Sequence, residues 1–511
     1  MKYNIKQLHT LFLMALLVLG TGCKKFLEEK DPSNLSPDTY YTLPEHAEAA
    51  IAAAYAQTRF IGNGAGIFVA NFSMLEVVTG TAKTETGQNS DLNNLVGLSY
   101  NGDNLLVRNW WSGLYNVIAQ TNLVLDKVPG ITPMEEGRKA QILGEARFLR
   151  AWAYFYLVRL YGDVPLVTVP QEATSEDFLP TRTSAEEVYN LIVDDLTQAE
   201  NAGLPWKDAS GRASRAAAAS LLSKVYLTMA GFPLNKGASH YALARDKALD
   251  VINNSGISLF ATYNELHSLS RENQEEHIFQ IQYLATVAGN PMQQLLLPNF
   301  KNVSAWSDEV GSTVPTVQFY NSYEPGDLRA KDREGFFYTS YYDGGSGALK
   351  PLNAPYIFKH FDIVAHGTAG SPGTTQSDLN WPQIRYADVL LVYAEAQNRA
   401  DGSPNAQAYS ALNAIRSRAQ IPVLSGLSQT AFEQAVWRER WHELCYEGVT
   451  WFDMVRLRKV YNESTNGFDE FTGHRFPDNP TIALAEKNLL FPLPSAELRN
   501  NPNLTPQNPG Y

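Results

Sequence analysis

Apolar residues recur every three or four positions through residues 141–167, QILGEARFLRAWAYFYLVRLYGDVPLV, and the rest of the chain is organised around this stretch. One stripe runs Ile142, Ala146, Leu149, Ala153, Leu157 and Leu160. A second, on another face, runs Phe148, Trp152 and Phe155 and continues to Arg159. That spacing belongs to an α-helix, and two apolar faces call for neighbours on both sides. Gly162 follows the last apolar turn and can take the left-handed conformation that ends helices; Pro165 bars any continuation. A helix built from aromatics and alanines and covered on two sides fits a layered helical repeat. An ordinary core helix of a large domain is the alternative.

Other segments share the period. An Ala-rich helix is expected over 45–60. Another, over 109–128, forms an antiparallel hairpin with the central helix. Ser184 and Glu187 make a capping box that opens SAEEVYNLIVDDLTQAENA. Residues 212–230 supply its partner, with small residues at 216–219 allowing close approach, and a short helix follows at 241–253. After a wide gap, 384–399 and 406–418 form a further pair. Thr430 and Glu433 cap a last long helix that reaches about Arg458. Pairs of roughly 34 residues with small/large alternation resemble degenerate, interrupted tetratricopeptide repeats.

Two stretches break the pattern. Residues 61–104 spread Gly62, Gly64, Gly66, Gly80, Gly87, Gly97 and Gly102 among Asn, Ser and Thr, which reads as a long loop. Residues 256–382 show few helical periods. Long ordered loops tend to carry function, and the second stretch is read as a cap over the scaffold. The expected fold is mainly α: a superhelix of tetratricopeptide-like helix pairs with an irregular, loop-rich cap subdomain. Its expected divisions are a signal at 1–22, a tether at 23–44, helical regions at 45–255 and 383–511, and the cap at 256–382.

The start of the chain changes the picture further. Lys2 and Lys6 precede an apolar run at 11–19 and then Gly20-Thr21-Gly22-Cys23, the layout of a secretory signal. The run is far short of the ~20 residues a membrane span needs. A Cys directly after small residues is the acceptor pattern for bacterial lipid modification, although Gly20 stands where Leu is usual. Ordinary cleavage without a lipid is the alternative. Removing residues 1–22 takes away two lysines and no acid, so the formal charge of −12 becomes −14. No basic block interrupts that acidity, which argues against nucleic acid as a partner. Cys445 is then the one thiol left in the body, too few for a disulfide or a Cys-based metal site.

No catalytic constellation stands out. His442 begins HELC but lacks the second His of a zinc-protease helix, since Tyr446 stands there. Gly344-Gly345-Ser346-Gly347 has no Lys-Ser/Thr after it and reads as a flexible turn. The pairs Asp194-Asp195 and Glu135-Glu136 fall on expected helix surfaces. No cofactor and no essential metal are expected.

Six ordered blocks together resemble one family: CKKFLEEKDP, RFLRAWAYFYLVRLYGDVPLV, PTVQFYNSYEPGDLR, IRYADVLLVYAEAQNR, ERWHELCYEGVTWFDMVR and LLFPLPSAELRNNPNLTPQNPGY. They are similar to the SusD/RagB nutrient-binding outer-membrane lipoproteins of Gram-negative bacteria, across essentially the whole mature chain. Val449-Thr450 departs from the family, which usually has a basic residue after the Glu-Gly pair. The resemblance implies about four tetratricopeptide-like units covered on one side by an irregular subdomain, lipidation at Cys23, and no catalysis. It also implies a partner, a SusC-like TonB-dependent transporter barrel to which captured oligosaccharide, or in some members peptide, is delivered at the cell surface. Arg385, Asp388, Glu395, Glu439, Arg440, Glu443 and Asp453 fall in these blocks and are read as helix-to-helix ion pairs.

Binding residues must be exposed, so they are sought outside the helical blocks. Sugars present C–H faces that stack on aromatics and hydroxyls that bond to polar side chains. In 61–104 the candidates are Phe72, Tyr100 and Asn101, with Phe68, Asn71 and Asp103 beside them. In 285–345 they are Trp306, Asp308, Phe336 and Tyr341, with Tyr338 and Tyr342 nearby. Trp306 leads, because a lone Trp among Ser, Asp and Glu is hard to bury without a partner for its N–H; pinning its loop to the scaffold is the competing role. Glycan capture is the leading function. Peptide capture and a purely protein-binding scaffold are the alternatives, and a surface hydrolase would need two carboxylates about 5–9.5 Å apart.

Overall fold

The computed structural model describes residues 40–511 except 67, 173, 176, 177, 307, 369 and 370; Cys23 and most of the tether lie outside them. The long helices are α1 (Pro44–Gln57), α2 (Leu105–Lys127), α3 (Glu136–Tyr161), α4 (Ala185–Glu200), α5 (Arg215–Ala230), α6 (Ala238–Asn254), α7 (Tyr386–Asp401), α8 (Ala406–Arg418), α9 (Gln429–Leu444) and α10 (Thr450–Leu457). From α1 to α9 each packs on the next, so α2/α3, α4/α5, α6/α7 and α8/α9 form four successive pairs of a tetratricopeptide-like superhelix. Both apolar stripes of α3 are buried, and the helix packs on α2 and on α4.

Local chemistry sets the ends. Asn104, Ser184, Ser214 and Asn405 each accept a backbone N–H in the first turn of α2, α4, α5 and α8. Glu135 caps α3, accepting from the N–H groups of Gly137 and Arg138, which starts that helix well before its apolar period. Gly162 ends it with φ +75°, a conformation that disfavours any side chain. Gly144 lets α3 approach the end of α4 closely: a Cβ there would lie 2.4 Å from that of Ala202.

Three expectations are corrected. The last helix is not continuous: α9 is capped by Ser428 rather than Thr430, and the chain breaks between α9 and α10 with positive φ at Tyr446 and Gly448. The break places three consecutive groups in different buried contacts, which a continuous helix would not allow. Tyr446 donates to the Thr81 carbonyl, Glu447 binds Arg385, and the Gly448 N–H donates to Glu76. Second, Asp195 is not a surface acid; it is buried and held by Arg150 through two 2.8 Å bonds. Third, 61–104 is not a long open loop. It folds into short helices Ser73–Val77 and Ser90–Val96 and a two-residue strand, and much of it is buried. Trp110 on α2 holds it from one side by donating to the Asn71 carbonyl, and residues 310–316 hold it from the other.

Between α6 and α7 the chain leaves the superhelix and returns. Four strands organise this excursion: β1 (His277–Ile281), β2 (Phe337–Tyr342), β3 (Leu349–Ile357) and β4 (Trp381–Arg385). Antiparallel pairing joins β1 to β4 and β2 to β3. A core separate from that of the helices lies here, made of Leu297, Val303, Tyr338, Tyr341, Leu352, Tyr356, Phe358 and Phe361 among others. Arg385 at the end of β4 meets Glu276 just before β1 and Glu443 and Glu447 at the end of α9, tying the excursion to the helices. The blocks' other charges pair likewise: Asp388 with Lys224 and Arg440, Arg440 with Asp453, Glu395 with Arg456, and Glu439 with Arg329 and Arg416.

Glu76 is buried with the Gly448 N–H as a hydrogen-bond donor at 2.7 Å. Burial outweighs that bond and the field of Lys359, and raises its carboxyl to about 7. Its folded value lies above the unfolded one, so the stability it contributes is full at pH 4 and is lost as pH rises through 7. Glu76→Gln keeps an acceptor for Gly448. Its stability relative to wild type is expected to improve by on the order of 3 kcal/mol between pH 5 and 8, measured by urea unfolding at both values; a pH-independent difference would refute this.

Candidate functional site

The two regions singled out in the sequence meet. Ala82 and Lys83 pair with Pro315 and Val314, and Glu85 reaches across to the loop at 299–310. The Glu85 carboxylate accepts from the Asn299 N–H at 2.9 Å and from the Tyr356 hydroxyl at 2.8 Å. Inside that loop Glu309, itself buried, accepts the N–H groups of Asn302, Val303 and Ser304 at 2.5–2.9 Å. A carboxylate gathering three successive amides fixes the loop that carries Trp306 and Asp308. Glu309→Ala is expected to speed hydrogen exchange of these three amides at least about tenfold, the scale of losing a charge-assisted bond. Unchanged exchange would mean that the loop is held by something else.

Trp306 is half-buried. Its ring lies on the imidazole of His366, centroids 4.8 Å apart, and His366 rests in turn on Phe361 at 4.0 Å. Burial drives the His366 pKa down to about 3, so the ring under Trp306 is neutral. Beside this stack a small pocket of about 170 Å³ opens between residues 303–305, the end of β2, and residues 366–368 with 371–372. Tyr341 forms its floor, buried, with its hydroxyl donating to the Gly367 carbonyl at 2.9 Å. Tyr342 stands half-exposed at the wall, and Phe300, 68% exposed, lies on the same loop as Trp306.

Polar groups rim the aromatics. Asp308 is exposed, and Asp343 pairs with Lys350 at 2.6 Å. Lys350, and then Ser346, hold the Asp343 carboxyl far below its usual range, so it is a permanent acceptor. Half-exposed rings beside fixed acceptors and an ammonium suit a ligand with both apolar faces and hydroxyls.

The remaining candidates are elsewhere, and three are corrected by burial. Phe72 packs on Trp381 in the main core, Phe336 is fully enclosed beside Tyr263 and Lys359, and Tyr100 lies against Phe491 and Tyr511 with its hydroxyl bonded to Asn488. None of these offers a face to a ligand. Asn101 is exposed, but its side chain accepts from the Asp103 N–H and it adjoins the C-terminal segment.

A SusD superfamily protein from Parabacteroides distasonis superposes with a TM-score of 0.86 at 36% identity, covering 94% of this chain and 100% of the other. This chain belongs to the SusD family. The SusD family model matches residues 328–511, and one described as starch-binding associating with outer membrane matches 25–227. SusD-like protein P2 of Formosa agariphila is 27% identical over 99% of this chain and 100% of its own length. The starch-binding protein SusD of Bacteroides thetaiotaomicron is 24% identical over 99% of both.

Within this SusD-family chain, sequence reasoning missed Glu85, Glu309, His366 and the Asp343–Lys350 pair. Only the last had a signal: Asp-Gly-Gly after the β-rich run FFYTSYY marks a hairpin turn. Carboxylates that collect backbone amides leave no periodic trace.

Proposed function

We propose that this protein is a lipid-anchored, non-catalytic outer-membrane receptor that captures a glycan and hands it to a SusC-like TonB-dependent transporter. Family membership supports the setting, and the outer-membrane description of the matched N-terminal region agrees with it. In this reading residues 1–22 are the signal, Cys23 bears the lipid, and 256–382 carry the binding face. Among the described residues no helix is long and apolar enough to cross a membrane. The observation that carries the glycan reading is the Trp306–Tyr342 surface, where two half-exposed rings stand over a buried aromatic core beside Asp308 and Asp343. The starch-binding relative supports the same ligand class.

The test is retention of a soluble form, residues 24–511, on gels carrying a panel of α- and β-glucans and other polysaccharides, with peptides run in parallel. Retardation by at least one glycan is the expected result. Binding of peptides alone would replace glycan capture by peptide capture on the same surface.

A further inference from the structure

A cleft of about 860 Å³ is lined by other elements: the ends of α3 and α5, the start of α4, α10 and the C-terminal segment. Its charge runs against the rest of the molecule. The chain carries −12 overall, yet Arg159, Arg182, Arg456, Arg458 and Lys487 line this cleft against two acids, Asp163 and Glu486. Arg456 is neutralised by Glu395 and Asp453. Among the described residues the other four cations have no carboxylate within ion-pair distance. Arg182 is satisfied by neutral acceptors, the carbonyls of Asp163 and Pro506 and the side chain of Asn508.

Arg159 is the decisive group. It is 9% exposed, and its guanidinium lies between the rings of Phe155 and Phe452, 3.6 Å from each centroid. Its Nε donates to the Phe155 carbonyl, which commits one edge. The remaining N–H groups have no acceptor among the described residues. Arg458 repeats the situation: its Nη1 is buried without a hydrogen-bond partner, and the group rests on the Phe232 ring at 5.0 Å. Burying a cation without a paired carboxylate is costly, and Arg159, with the half-exposed Arg458 on the same cleft, is the arrangement an incoming anion relieves.

The rest of the wall says what the anion is attached to. Phe232, Phe452, Val455, Leu489, Leu490 and Pro506 make it mainly apolar. The amides that line it are occupied in holding the C-terminal segment: Asn503 donates to Leu179, Gln507 to Leu493, and Asn508 to Tyr161 and Phe491. Few groups are left for the hydroxyls of a sugar. Cations and apolar surface remain, in a volume usual for small-molecule sites. We propose that this cleft is a second ligand site, separate from the Trp306 surface, for a small carboxylate with an apolar or aromatic body, held by Arg159 and Arg458.

The experiment is isothermal titration of residues 24–511 with 4-phenylbutyrate and with its neutral amide, 4-phenylbutyramide. Saturable binding of the acid is expected, with the amide at least about tenfold weaker, the scale of one charge-assisted bond. Arg159→Gln and Arg458→Gln should each weaken the acid by a similar factor, whereas Trp306→Ala should leave it unchanged. Arg458 is half-exposed, so its variant serves even if Arg159→Gln does not fold. No saturable binding, equal binding of acid and amide, or indifference to Arg458→Gln would overturn the proposal. Glucuronate binding as tightly as phenylbutyrate would overturn it in favour of an acidic-sugar site. Binding confined to a Glu- and Phe-containing peptide would overturn it in favour of protein docking. Because Trp306 is not part of this cleft, failure here leaves the glycan reading standing.

Discussion

Arg385→Met is expected to destabilise the protein by about 3–5 kcal/mol, the cost of leaving buried partners of an ion pair uncompensated. Arg385 is 1% exposed and touches three carboxylates. With Glu447 it forms a two-bond fork, Nε to Oε2 at 2.9 Å and Nη2 to Oε1 at 2.6 Å. Burial alone would raise the Glu447 carboxyl; Arg385 and Lys359 outweigh burial and hold it at about 2. Removing the guanidinium leaves Glu447 with Lys359, Glu276 with Arg418, and Glu443 with Arg418 and Arg329. The loss should appear as a lower urea midpoint at pH 7 and shrink toward pH 4, as carboxylates freed of Arg385 protonate. A change below about 1 kcal/mol would show that β4 is held to α9 by packing rather than by charge.

Trp306→Ala is expected to weaken glycan binding about 30-fold, near the 2 kcal/mol of an aromatic hot spot. The far-UV circular dichroism should stay that of wild type. The two readouts separate because Trp306 is only half-buried and contacts the edge of the excursion's core through His366. Trp381→Ala is the contrast. That ring is buried on His360 at 4.3 Å beside Phe72, so its truncation should cost stability first. Titration calorimetry with the glycan found on the gels measures the effect. A change under threefold would move the binding face away from the 299–310 loop.

Much of the helical scaffold was legible because burial on two sides of a helix writes itself as a period in the sequence. The stripes of α3, the partner at α2 and the cap at Ser184 follow from neighbours a few positions apart. The third pair was not legible. Residues at α6 and α7 meet only because β1 and β4 close the excursion between them, and no local pattern encodes that closure. The misplacement of Phe72, Tyr100 and Phe336 has a related cause. Glycines and polar residues around them read as loop, yet Trp110, Tyr446 and the 310–316 segment press 61–104 into the interior, and Tyr263 and Lys359 enclose Phe336. Trp306 kept a surface because its loop is short of apolar neighbours, which is what the sequence displayed. The ion pairs of Arg385, Asp388 and Arg440 were assigned through family resemblance, since partners dozens of positions apart have no spacing to read.

The excursion between α6 and α7 enters and leaves through strands that are hydrogen-bonded to each other. Its outer loops can therefore lengthen or shorten without moving either helix, and the entropy of a longer loop grows only slowly, by about 0.6 kcal/mol per doubling. The reach of the excursion's outer loops and the geometry of the superhelix are therefore separable, so a change of length in one leaves the shape of the other untouched.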